Sequence, residues 1–135
     1  MASDSVAGEL PLKTEHDIVL GRQAVRRLSQ ELGFSLVDQT KIVTATSELA
    51  RNAVIYGGGG TMRWEILQNG IKRGLRLAFE DQGPGIPNLD LALTDGWSSG
   101  TGMGLGLTGA RRLVNEFDIA STVGVGTRVT VTRWK

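Results

Sequence analysis

The apolar positions of this chain change their period once, and the change divides it into a helical first part and an extended second part. Ile18, Val25, Leu28 and Leu32 recur at helical spacing on one stripe, and Gly21 lies on the same stripe, where a missing side chain permits close approach. Thr14-Glu15-His16-Asp17 ahead of this run has the form of a capping box, and Gly33 behind it suits a helix C-terminus. Ser35-Leu36-Val37-Asp38 repeats the capping pattern, which predicts a second helix to about Tyr56, ended by the glycines at 57–60.

Beyond residue 60 the period falls to two. Strands are predicted over 61–68 and 71–82, around a hairpin turn at Asn69-Gly70. Ile71, Leu75, Leu77 and Phe79 share one parity while Lys72, Arg76 and Glu80 share the other, so one face of this sheet is expected to be covered and the other wet. An edge strand is predicted over 8–13 despite Pro11, behind a polar tail, residues 1–7, expected to be disordered. Residues 88–99 read as irregular, with one helical turn at 88–93. A third helix is predicted over 105–117, and two closing strands over 119–123 and 127–134 around Gly124 and Gly126. The order β-α-α-β-β-α-β-β predicts a single α/β domain, a two-layer sandwich with three helices over one face of a mixed sheet.

Composition narrows the chemistry. With 135 residues the chain can bury a core without staples, and with no cysteine it has no disulfides, thiol catalysis or thiolate metal site. A single histidine, His16, excludes His-rich zinc sites and argues against a Ser-His-Asp triad; it reads as a solvated first-turn residue. The net charge of +1 comes from scattered Lys and Arg, so neither nucleic acid nor an anionic membrane is an expected partner. No apolar run reaches the length of a membrane span, and MASDSVAGEL lacks the basic and apolar regions of a signal peptide, so a cytoplasmic protein is expected.

Glycine is the unusual residue. SSGTGMGLGLTGARRL carries Gly100, Gly102, Gly104, Gly106 and Gly109 and then opens onto a helix-forming run, a pattern suited to backbone bending around phosphate. Gly104 to Gly109 also matches G-x-G-x-x-G, but the dinucleotide reading needs a preceding strand and an acidic residue roughly 20 positions on. TDGWSS precedes the glycines and no Asp or Glu follows Asp118, so that reading fails. No Lys follows a Gly, which excludes a P-loop, and HRD and DFG are absent, which excludes an ordinary protein kinase.

Three further groups carry chemistry. Glu48 and Asn52 stand at i and i+4 on the second helix, about 40° apart around its axis and about 6 Å along it. An amide oxygen is a hard ligand for Mg²⁺ and a carboxylate can take a hydroxyl proton, although a solvated helix face would read the same. Asp81 shares the parity of the apolar residues, where a carboxylate is costly unless donors meet it, and GPGIP follows it. It can accept from an amino group such as that of adenine, or close an Asx turn. Thr127, in phase with Val129 and Val131, faces the same side.

In that order, E-x-x-x-N, D-x-G-x-G and G-x-G-x-G resemble the GHKL (Bergerat-fold) ATPases over nearly the whole chain. SELARNAVIYGGGG, EDQGPGIP, DGWSSGTGMGLGL and RRLVNEFDI are similar to the anti-sigma-factor serine/threonine kinase branch, nearest the switch kinases of the stressosome. The resemblance implies ATP and Mg²⁺ as ligands, Glu48 as general base and Asn52 as the metal ligand. It implies Asp81 as the adenine acceptor with Gly83 and Gly85 lining the pocket, and Thr127 assisting at the base. Gly102, Gly104 and Gly106 would form an ATP lid, whose N–H groups hold phosphates together with the next helix's N-terminus. Trp97 and Met103 are candidates for partner contact or for covering adenine. The function implied is a serine/threonine kinase of a partner-switching module, phosphorylating a STAS-domain antagonist or scaffold and then acting on a downstream phosphatase or other output protein. The alternative is a non-catalytic binding switch that uses ATP for conformation alone. A two-component histidine kinase is not expected, because the fifteen residues before His16 are too few for a dimerisation hairpin.

Overall fold

The computed structural model describes residues 7–94 and 103–135, with the side chains of 103–105 left out of the description. The elements in chain order are β1 (Ala7–Leu12), α1 (Glu15–Glu31), α2 (Leu36–Arg51), a π-helical turn (Asn52–Tyr56), β2 (Gly60–Asn69), β3 (Lys72–Asp81), α3 (Leu89–Ala92), α4 (Met103–Arg112), β4 (Glu116–Thr122) and β5 (Gly126–Trp134). The strands form a five-stranded sheet in the order β1-β2-β3-β5-β4.

Helix boundaries follow local chemistry where caps are present. Thr14 accepts from the Asp17 N–H while the Asp17 carboxylate accepts from the Thr14 N–H at 3.0 Å, a complete capping box. At the other end of α1, Gly33 donates to the Gln30 carbonyl and Phe34 to the Ser29 carbonyl, which satisfies the last free acceptors through a left-handed glycine at φ 81°. The second box is only half made. Ser35 accepts from the Asp38 N–H at 3.1 Å, but the Asp38 carboxylate takes Arg133 of β5 at 2.6 Å. That guanidinium, which also donates to the Leu113 carbonyl beyond α4, holds the Asp38 carboxyl below its ordinary pKa and ties three segments together.

The core lies between the helices and one face of the sheet. Val25 and Leu28 of α1, Ile42 and Leu49 of α2 and Leu107 of α4 are buried with Met62, Leu75, Leu77, Phe79, Val129 and Val131 of the strands. Gly21 sits 3.6 Å from the Met62 sulfur, measured from where its Cβ would be, so the missing side chain does admit β2. The opposite face is charged, with Arg63 paired to Glu80 at 2.8 Å and Arg76 to Glu65 at 3.6 Å. Pro11 is tolerated because β1 is an edge strand, with one side free of ladder bonds.

Several expectations are corrected. The sheet is not mixed: each of its four neighbouring pairs is antiparallel. The crossover from β3 through α4 to β4 suggests parallel neighbours, but β5 folds back between these two strands and pairs with both. Ile71 is 98% exposed in the turn rather than buried with Leu75, because the hairpin closes before it joins the ladder. The third helix starts two residues earlier than predicted and ends at Arg112. Asn115 donates its N–H to the Thr132 carbonyl and accepts from the Trp134 N–H, which commits the following residues to pairing with β5. Ala7, assigned to the tail, pairs with Glu65.

Candidate functional site

A cavity of about 380 Å³ opens between the end of α2, the start of α4 and the far ends of β3 and β5. Its apolar wall includes Leu49, Ala53, Phe79, Ile86, Leu107 and Val129, and its polar groups include Asn52, Asp81 and Thr127. A mostly apolar cleft with a few convergent polar groups is the form of a small-molecule site.

The helix carrying Glu48 and Asn52 does not continue as α-helix to Tyr56. After Arg51 it widens into a π turn, in which the Gly57 N–H reaches the Asn52 carbonyl at 3.0 Å. The wider turn places Asn52, Ala53, Ile55, Tyr56 and Gly57 all on the cavity wall, more than one face of a regular α-helix supplies. The signal was present in NAVIYGGGG, where β-branched Val54 and Ile55 meet a glycine run, both unfavourable to α-helix.

Glu48 and Asn52 do converge, and Gly106 is the point of convergence. A Cβ built on Gly106 would lie 3.1 Å from a Glu48 carboxylate oxygen and 3.4 Å from the Asn52 amide oxygen. Gly106 thus lets the first turn of α4 approach both polar groups, and Gly104 lies in the same turn. That end of a helix leaves N–H groups without intrahelical acceptors. The Asn52 side-chain nitrogen is buried without a hydrogen-bond partner among the described residues. Gly102 and Trp97 lie outside the described residues, as does the side chain of Met103.

Asp81 stands at the cavity floor as its parity predicts, and it also makes the local turn that was the alternative reading. One carboxylate oxygen accepts the Gly83 N–H at 2.9 Å. Partial burial raises its pKa above the ordinary value, against opposing help from the Gly83 and Thr127 backbone N–H groups. The carboxylate is pressed against Gly57, which the sequence marks only as one of the helix-ending glycines. A Cβ there would lie 2.4 Å from the Asp81 carboxyl carbon, and one on Gly83 would meet the Gly57 backbone at 2.7 Å. Gly83 and Gly85 therefore differ in role: Gly85 lines the cavity, at φ 78° with the Thr122 carbonyl directly behind it, whereas Gly83 makes room for the π turn.

Thr127 pairs with Asp81 across the β3–β5 ladder and lines the same cavity. No three His, Asp or Glu side chains converge among the described residues. A Mg²⁺ ion that keeps several waters and takes one amide oxygen from the protein needs no such cluster. The Asn52 amide oxygen beside Gly106, the Asp81 carboxylate at the floor and the close approach of the first turn of α4 fit a magnesium–nucleotide complex.

Residues 37–135 match the histidine kinase-, DNA gyrase B-, and HSP90-like ATPases. The chain belongs to that family. Among its members, the serine/threonine-protein kinase RsbT of Bacillus subtilis (strain 168) is 46% identical over 123 residues, which are 91% of this chain and 92% of that protein. An anti-sigma F factor of Clostridium kluyveri is 28% identical over 133 residues, 96% of this chain and 93% of the relative. A crystal structure of RsbU and RsbW domains from Mycobacterium tuberculosis superposes with a TM-score of 0.62 at 22% identity, covering 95% of this chain and 33% of that one. The last likeness concerns the fold alone. For this member of the ATPase family, Gly57→Ala is expected to displace Asp81 together with the strand end that carries it, at a measurable cost in stability, because the new methyl group would also lie 2.6 Å from the Asp81 Cβ. Calorimetric ATP affinity should fall by about tenfold or more, since a methyl group displaces a polar contact of about 1–3 kcal/mol.

Proposed function

We propose that this protein is an ATP-dependent serine/threonine kinase of a partner-switching module, acting on a STAS-domain partner and then on a downstream phosphatase or other output protein. The observation that carries the reading is the meeting of Glu48 and Asn52 at Gly106, beside a cavity whose floor is made of acceptors. The 46% identity to a serine/threonine-protein kinase supports it over almost the full length. Bound Mg-ATP supplies the transferable phosphoryl group and the cation that offsets its charge. Asp81 accepts from the adenine amine, Asn52 offers its amide oxygen to the metal, and the first turn of α4 directs N–H groups at phosphate. Glu48 orients the acceptor hydroxyl and takes its proton.

The anti-sigma relative favours a second reading, in which nucleotide controls binding to a partner without transfer. Incubation of the wild-type protein with Mg-ATP and a STAS-domain partner separates the two. Phosphoserine or phosphothreonine on the partner, found by mass spectrometry, is expected; a partner that binds but stays unmodified would establish the binding switch instead.

The metal assignment has its own test. Asn52→Ala removes the amide oxygen, so Mg²⁺ should no longer tighten nucleotide binding, while the metal-free affinity held by Asp81 changes little. Calorimetry with and without Mg²⁺ measures both, and an undiminished response to Mg²⁺ in the variant would exclude Asn52 as the ligand.

A further inference from the structure

Glu48 stands on a border of α2. At about 100° per residue, Ala45 and Leu49 lie about 60° and about 100° to one side of it, and both are buried. Thr44 and Arg51 lie about 40° and about 60° to the other side, and both are exposed. Asn52 is on the buried side, where it shares with Glu48 the contact at Gly106, so α4 covers that flank. A hydroxyl of another protein therefore reaches Glu48 over the flank of Thr44 and Arg51.

Arg51 is the charged group on that approach. Its guanidinium makes no hydrogen bond or ion pair among the described residues, although Glu48 is only one turn away. The other carboxylate of α2, Asp38, is committed to Arg133 at 2.6 Å. We infer that Arg51 is a specificity residue, which takes a carboxylate that the partner protein carries close to its acceptor serine or threonine and so sets that hydroxyl at Glu48. The inference rests on reading Glu48 as the base of a protein kinase. A guanidinium holds a carboxylate through two parallel N–H bonds, which fix orientation as well as distance. Arg51 lies about 4.5 Å along the helix from Glu48, so the carboxylate belongs within about four residues of the acceptor, roughly one turn of helix.

The probe is a STAS-domain partner whose phosphorylated residue has been located by mass spectrometry, varied in concentration at saturating Mg-ATP. Arg51→Glu should raise the KM for this partner by about tenfold or more, because it sets like charges against each other. Its kcat and its calorimetric ATP affinity should change little, the pattern of a lost binding contact. Arg51→Lys should fall in between, keeping the charge without the fork. Exchanging the acidic residue beside the partner's acceptor for Lys should raise the wild-type KM in the same way, and Arg51→Glu should recover that altered partner. An unchanged KM in Arg51→Glu would leave Arg51 only its favourable place at the negative end of the α2 dipole, and would overturn the inference. So would a charge exchange without recovery, or an acceptor with no Asp or Glu nearby. A fall in ATP affinity would assign the guanidinium to nucleotide phosphate and overturn it equally. A wild type that leaves the partner unphosphorylated overturns the kinase reading and the inference with it. Arg51→Gln keeps much of the stem without the charge and serves if Arg51→Glu fails to fold. It must also raise the KM, and an unchanged value would overturn the inference.

Discussion

Asp81→Asn is expected to abolish ATP binding while leaving the unliganded protein at least as stable as the wild type. The two effects have one origin. Partial burial raises the Asp81 pKa above its ordinary value of 3.8, which means that the ionised carboxylate is less comfortable in the fold than in the unfolded chain. A carboxyl raised in this way contributes its stability below the unfolded value, and that contribution is lost as pH rises through the folded value. At neutral pH Asp81 is therefore a cost to the empty protein. Asparagine removes the charge and can keep the Gly83 N–H bond through its amide oxygen. Its amide nitrogen, however, can present donors to a ligand amine that also donates. Loss of a charge-assisted contact together with the introduced mismatch should weaken ATP by about 10²-fold or more. The same titration predicts that wild-type affinity falls as pH drops through the raised Asp81 pKa. Calorimetry and thermal unfolding of the same variant settle both halves. Wild-type affinity would remove Asp81 from the site, and a marked loss of stability would make it a structural residue.

Glu48→Gln is the second large effect, and it separates chemistry from binding. The substitution keeps the size of the side chain and its approach to Gly106 but cannot accept a proton at neutral pH. Phosphoryl transfer to the partner should slow by about 10²–10⁴-fold, the range that general-base catalysis supplies. On the proposed assignment ATP affinity should change little, because Asp81, Asn52 and the first turn of α4 carry it, and partner binding should change little because the size of the side chain is kept. Single-turnover transfer measured at saturating ATP isolates the step. Transfer at the wild-type rate would defeat Glu48 as the base while leaving kinase activity in place.

Much of the fold is legible from short stretches. Thr14 and Asp17 close their capping box, Gly33 ends α1, and Asn69-Gly70 turns the hairpin that alternation over 71–82 predicts. Asp81 and Thr127 face the cavity as their parity requires. Each of these rests on hydrogen bonds or side-chain periods confined to a few neighbouring residues, so the sequence determines them by itself. The residues of the proposed nucleotide site are legible in another way, through the order of three motifs that are weak one at a time.

Only the tertiary structure decided the partners of these elements. Asp38 fits a capping box, yet its carboxylate goes to Arg133, which lies 95 positions away and offers a charged donor. The segment after Arg112 can extend a helix, but its pairing with β5 ends α4 there. The insertion of β5 between β3 and β4 makes the sheet antiparallel throughout, and no local period specifies which strand edge β5 will take. The pressure of Gly57 on Asp81 likewise exists only after distant segments have met. Local patterns say which face of an element must be buried. Competition among non-local contacts, each gaining only when the chain has closed the loop between them, chooses what that face is buried against.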